Sequence, residues 1–277
     1  MTSTDSGADD PTACGGSGLV ARTYFDAAFC NQNTRRLLTV NATTVISVAD
    51  AQVPAWNSLL VIVNSTVFGG SGGAVAVCSL AEGATEIALH EMGHAAFGLA
   101  DEYPYFLGCG VDTDRNNHPS VEPTEPNVTT NTNRATLKWR ALVAATTPIP
   151  TTRNADCALC DPQPDPVPGA VGLYEGAHYY HCRAVRPMFN CKMHTLGQPF
   201  CAVCLQRIRE VLPTIVPFVQ ESSEGAAAQH IRAVGLVPRF TGQMGPGAWV
   251  WRQSPDGGTL VRGGSTVMCR LRTGPIP

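Results

Sequence analysis

The chain has 277 residues, more than one typical domain and fewer than two large ones, so a catalytic-sized domain with a small appendage is expected. Hydrophobic residues at 44% supply a core and exclude global disorder; charged residues at 15%, with a formal net charge of -3, exclude the basic face that a nucleic-acid binder needs. The apolar runs, such as Leu59 to Val63, fall far short of the roughly 20 residues of a membrane-crossing helix. Met1 to Pro11 is polar and acidic, without the basic and apolar regions of a signal peptide.

In chain order, residues 1 to 18 read as a flexible head and Val20 to Cys30 as a helix with Tyr24, Ala27 and Ala28 on its apolar face. Arg36 to Val40 and Ser58 to Val63 read as strands, the second buried, with an ambiguous stretch from Thr44 to Ala55 between them. Phe68-Gly-Gly-Ser-Gly-Gly73 reads as a turn and Ala74 to Leu80 as the strand after it. Ala84 to Phe97 is rich in helix formers, and Gly98 stands where a helix would stop. Residues 104 to 135 and 147 to 170 are loop-like, with Leu137 to Ala145 helical between them and Cys201 to Val216 as a later helix. Pro213, Pro217 and the polar segment from Gln220 to Gly225 mark a boundary, giving domains at 1–219 and 220–277. No internal repeat is present.

Eleven cysteines suggest disulfides in an exported protein, and their odd number leaves at least one thiol or an outside partner. Cys157-x-x-Cys160 and Cys201-x-x-Cys204 have the spacing of a second, structural zinc site, although disulfides are the preferred reading; Cys182 and Cys191 are further candidates, and connectivity stays open. Asn41, Asn64 and Asn127 each begin a glycosylation triplet.

The chemistry centres on His90-Glu91-Met92-Gly93-His94. On a helix, residues four apart share a face, so two imidazoles there can hold one catalytic zinc ion. Glu91, about 100° round the turn, is placed to take a proton from an attacking water and to pass it to a leaving amine. A catalytic zinc needs a third protein ligand; Asp101, with Glu102 as the alternative, follows the glycine that would turn the chain back.

The run from His90 to Tyr103, His-Glu-Met-Gly-His-Ala-Ala-Phe-Gly-Leu-Ala-Asp-Glu-Tyr, resembles the signature of the IgA-peptidase family of bacterial metallopeptidases. Val63-Asn64, Phe68 to Gly73, Lys138-Trp139-Arg140, Gly172 to Ala177, Arg186-Pro187, Cys191-Lys-Met193 and Pro199 to Cys204 agree with it, over roughly residues 18 to 215. The resemblance implies a metzincin-like α/β (α+β) fold with a mixed twisted sheet, a zinc helix and a methionine turn. Met193, or Met188 as the alternative, would form that turn as an apolar floor beneath the imidazoles. The spacing departs from the ordinary metzincin pattern: Gly98 lies four and Asp101 seven residues after His94, one more than the usual three and six. A peptide substrate is expected along an edge strand near Gly72 to Val77, with Gly72, Gly73, Ala74 and Val75 as candidate binding residues.

Ala226 to Val234 reads as an amphipathic helix with Ile231 and Val234 on one face. Ala233-Val-Gly-Leu-Val237, Gln253-Ser-Pro255, Gly258-Thr259 and Gly263-Gly-Ser-Thr-Val267 resemble a PASTA domain, a small α+β module whose family link implies peptidoglycan association. The expectation is a secreted or cell-envelope zinc endopeptidase acting on protein or peptide substrates. The alternative is a non-catalytic cell-wall-binding protein on a metallopeptidase scaffold.

Overall fold

The computed structural model describes residues 5–160 and 167–276. They form a mixed α+β structure in two compact units, Met1–Cys204 and Leu205–Pro277. No helix among the described residues is long and apolar enough to cross a membrane.

In the first unit, helix α1 spans Ala42–Gln52, and its start is dictated locally: the Asn41 side chain accepts the Thr44 N–H at 3.1 Å. This resolves the ambiguous stretch from Thr44 to Ala55 as helix. Strands β1 (Leu60–Val63), β2 (Gly70–Ser71) and β3 (Ala76–Ser79) form a mixed sheet in the order β1-β3-β2, with β3 parallel to β1 and antiparallel to β2. β3 is buried along its whole length, whereas Ile62 of β1 is exposed, so the strand expected to be buried is the outer one. Leu38, Val45, Val63, Val75 and Val77 share a core with Ala8, Ala27 and Phe29. Fully burying one such aliphatic side chain contributes about 1.5–3 kcal/mol.

Three expectations for the N-terminal stretch do not hold. Val20 to Cys30 is not helical: Asp26 and Cys30 have φ of 51° and 72°, and Cys30 is tied to Cys14 by a disulfide. The described part of the head is anchored, with Ala8 buried and Asp9 N–H bonded to Ala27 O. Arg36 to Val40 pairs only through isolated bridges at Leu37 and Thr39.

Helix α2, Ala84–Phe97, follows β3 and ends at Gly98, whose φ of 62° is the left-handed conformation that glycine adopts without strain. The chain then runs irregularly through residues 104–135 and beyond; Leu137 to Ala145 supplies only a 3-10 turn, Arg140–Leu142. Strands β4 (Tyr174–Ala177) and β5 (Tyr180–Arg186) form a hairpin, and helix α3 spans Ala202–Val211. Disulfides Cys109–Cys160 and Cys157–Cys182 fasten the long loops. The expected loop at 147–170 lies partly outside the described residues.

In the second unit, strand β6 (Pro213–Ile215) replaces the last turn of the helix expected up to Val216, because Pro213 removes a backbone donor. β6 pairs with β9 (Leu260–Arg262). Helix α4 (Glu224–Ala233) begins at Ser223, whose hydroxyl accepts the Ala226 N–H. Strands β7 (Val237–Gly242), β8 (Trp249–Ser254) and β10 (Thr266–Arg272) form a sheet in the order β7-β10-β8. Ala227 and Ile231 of α4 pack into its core with Val250, Val267 and Leu271; Val234, expected on the same face, is exposed.

Candidate metal centre

Both histidines of α2 are oriented from behind. His90 Nδ1 lies 2.9 Å from Lys192 O, and His94 Nδ1 lies 2.7 Å from Leu99 O. A carbonyl only accepts, so each Nδ1 carries the hydrogen and each Nε2 presents its lone pair forward in the neutral ring. Gly98 makes the second contact possible: Gly98 N–H bonds to His94 O and Leu99 N–H to Gly93 O, which folds the chain back over the helix end.

That return delivers Asp101. Its Oδ1 lies 3.0 Å from His90 Nε2 and 3.3 Å from His94 Nε2, while the carboxyl group is buried. Oδ1 lies within hydrogen-bonding range of both rings, yet the ring hydrogens are committed to carbonyls, and no other donor reaches it. Two lone pairs and a carboxylate oxygen therefore face one another in a buried space. They match a tetrahedral zinc ion, whose nitrogen and oxygen ligands at about 2.0 Å are separated by roughly 3.3 Å. Burial by itself would lower both imidazoles; the Asp101 carboxylate outweighs it and raises both, so protons and a cation compete for the same two Nε2 lone pairs. Burial by itself would raise Asp101, but the two histidines hold it far below the usual carboxylate range.

Glu91 sits beside this group, within reach of the two histidines, and burial pushes it up to about 7. Glu102, the alternative third ligand, is turned away. Its carboxylate accepts from Asn127 Nδ2 at 2.9 Å and lies 3.4 Å from Cys204 Sγ. The two neighbouring carboxylates thus face different partners, Asp101 the histidines and Glu102 the Asn127 amide and Cys204.

Met193 is fully buried beneath α2, and a Cβ on Gly93 would meet its sulfur at 2.6 Å. Met188 is only half-buried, in the turn after β5. The glycine-rich segment is a packing device rather than a flexible turn. A Cβ on Gly70 would stand 2.9 Å from Glu91 Oε1, and one on Gly72 only 2.4 Å from His94 Cβ. Gly72, Gly73 and Ala74 form the exposed connection between β2 and β3, whereas the Val75 side chain belongs to the core. The expected edge strand is corrected here: Ala76 and Val77 lie in the central strand, where Ala76 pairs with β1 and Val77 with both neighbours.

Several contributors carried no sequence signal. The β4–β5 hairpin turns on His178 and Tyr179, with φ of 54° and 69°, in the positions where Asn-Gly is usual. That turn bonds His178 N–H to Asp101 O and Tyr179 N–H to Tyr103 O, and it brings Tyr179 Oη to 2.5 Å from Asp101 Oδ2. Burial, and next the Asp101 charge, raise the Tyr179 phenol, so it remains a donor. Tyr103 stacks parallel to His90 at 6.5 Å. A pocket lined by Tyr105, Asn154, Glu175, Arg186 and His194 opens beside the loop after Asp101, but none of His90, Glu91, His94 and Asp101 lines it. Asn127, a candidate glycosylation site, is fully buried and bonded through both amide atoms to Ala100, which leaves no nitrogen for a glycan.

The chain is a peptidase, a hydrolase of peptide bonds. It belongs to the family described as IgA Peptidase M64, which it matches over residues 1–158 and 152–212. The residues after 212 lie outside that match. No curated protein matches the chain.

Proposed function

We propose that the protein is a zinc-dependent endopeptidase in which His90, His94 and Asp101 hold the metal and Glu91 handles the proton. The observation that carries this reading is the convergence of both Nε2 atoms on Asp101 Oδ1, with Glu91 alongside. When bound, zinc supplies a water acidified towards a pKa of about 7 and polarises the scissile carbonyl. Glu91 accepts the proton of the attacking water and delivers it to the leaving nitrogen. Burial raises its pKa above the ordinary carboxylate value, which makes it a better proton acceptor than an exposed glutamate. The carbonyls of Lys192 and Leu99 fix the two imidazoles, and Tyr179 fixes the carboxylate.

The order of the sheet, the zinc helix, the glycine turn and the buried Met193 support a metzincin-like catalytic fold. The exposed backbone from Gly72 to Ala74, which begins against His94, offers main-chain hydrogen bonds to an extended protein or peptide substrate. Three disulfides support a secreted or cell-envelope setting. The helix and three-stranded sheet of the second unit, with the motifs from Ala233 to Val267, are compatible with a PASTA-like module, a resemblance that implies peptidoglycan association.

The test compares wild type with Glu91→Ala for zinc content and for cleavage of a mixed peptide library. The expected result is zinc in both proteins and cleavage by wild type alone. Cleavage by Glu91→Ala, or a wild type that binds zinc at His90 and His94 yet cuts nothing, would overturn the reading.

A further inference from the structure

Behind the candidate catalytic centre lies a second group of metal-binding side chains. Glu102, Cys191, Cys201 and Cys204 are all buried, and their ligand atoms lie within 4.8 Å of one another. We propose that these four residues form a closed, structural zinc site, separate from the one at His90 and His94.

The geometry is that of a tetrahedral cage. Zinc–sulfur bonds of about 2.3 Å and zinc–oxygen bonds of about 2.1 Å set the ligands about 3.8 Å apart for sulfur pairs and about 3.6 Å for sulfur and oxygen. Cys191 Sγ lies 3.7 Å from Cys204 Sγ, and Glu102 Oε1 lies 3.4 Å from Cys204 Sγ. Four protein ligands leave no open position, which marks a structural rather than a catalytic site.

Backbone donors point at two of the sulfurs. Cys201 N–H points to Cys191 Sγ at 3.2 Å and Cys204 N–H to Cys201 Sγ at 3.5 Å. Cys201 immediately precedes α3 and Cys204 lies in its first turn, so one helix start sets both sulfurs beside Cys191. A second observation points to a ligand: Glu102 Oε2 is fully buried and has no hydrogen-bond partner. An orphaned carboxylate oxygen costs several kcal/mol unless a proton or a cation meets it. A disulfide between two of the three cysteines would leave the third thiol and this carboxylate uncompensated. The six cysteines that do pair lie elsewhere, in Cys14–Cys30, Cys109–Cys160 and Cys157–Cys182. Binding displaces the thiol protons to solvent.

The cage ties together three pieces that shape the catalytic centre. Glu102 follows Asp101, and its N–H bonds to Met193 O at 2.7 Å. Cys191 precedes Lys192, whose carbonyl orients His90. Cys201 and Cys204 anchor both pieces to α3.

The experiment measures zinc per chain by elemental analysis on the full-length protein and on His90→Ala/His94→Ala, with cobalt spectroscopy on the double variant. Expected are two ions in wild type and one in the double variant, whose cobalt form shows a sulfur-to-metal charge-transfer band. Chelation should newly expose Cys191, Cys201 and Cys204 to alkylation. A single zinc that disappears in His90→Ala/His94→Ala, or a Cys191–Cys204 disulfide in the native protein, overturns the proposal. A single zinc that survives that double substitution supports the thiolate site and rejects the catalytic one.

Discussion

Tyr179 Oη donates to Asp101 Oδ2 at 2.5 Å, across 78 residues of sequence. The bond occupies one carboxylate oxygen and leaves the other, Oδ1, facing His90 and His94. Tyr179→Phe keeps the ring packing against Tyr103 and Phe106 and removes only this donor. Zinc affinity at the catalytic centre should fall by about 10- to 100-fold. Chelator competition measures it; an unchanged affinity would show that Asp101 needs no such support.

Gly72 and Gly93 should differ in tolerance. A Cβ at Gly72 strikes the Cβ of His94, which the helix backbone holds in place, whereas a Cβ at Gly93 strikes the flexible thioether of Met193. Gly72→Ala should cost about 1–3 kcal/mol and displace His94. Gly93→Ala should cost less and retain the metal. Thermal denaturation with zinc analysis checks the ranking.

Burial raises Glu91 to about 7, and the proton-accepting form is the carboxylate. As pH falls below the working pKa, that form is depleted, so kcat/KM should drop about tenfold per pH unit on the acid side. A bound cation lowers the working value, which places the limb at or below about 7. A profile flat down to pH 4 would exclude Glu91 as the base.

Glu122 contributes to acid stability. Burial by itself would raise it, but Thr129 and Thr130 hydroxyls, Lys138 and the Thr130 N–H hold it at about 2 in the fold, against an ordinary value of 4.5. A depressed folded-state pKa gives stability that is complete above 4.5 and is lost as pH falls towards about 2. Glu122→Gln should flatten the fall in urea midpoint across that window; an unchanged slope would contradict the assignment.

Asn127→Ala removes the amide that bonds Ala100 N–H, Ala100 O and Glu102. Leaving those buried groups unpaired should cost about 1–3 kcal/mol each, read by chemical denaturation. Intact-mass analysis of secreted protein should find no glycan at Asn127.

Helix α2 was legible because its signals are local: helix formers, two histidines four apart, and a glycine at the point of a left-handed turn. Asp101 was legible for the same reason, since it sits three residues beyond that glycine. The supporting Tyr179 was not, because its role depends on a hairpin that brings distant segments together and on two non-glycine residues adopting positive φ. Val20 to Cys30 misled because apolar spacing resembles a helix even where a disulfide and side-chain bonds set the path. Ser58 to Val63 misled because five consecutive apolar residues say nothing about which face a partner covers.

The opposed directions of Asp101 and Glu102 make the stretch from Gly98 behave like a reading frame. Removing one residue between Gly98 and Asp101 would present Glu102 to the imidazoles and take that same carboxylate away from Cys191, Cys201 and Cys204. Adding one would present Ala100, which has no ligand atom. Loop length here therefore sets which of the two carboxylates faces the histidines and which faces the cysteines behind them.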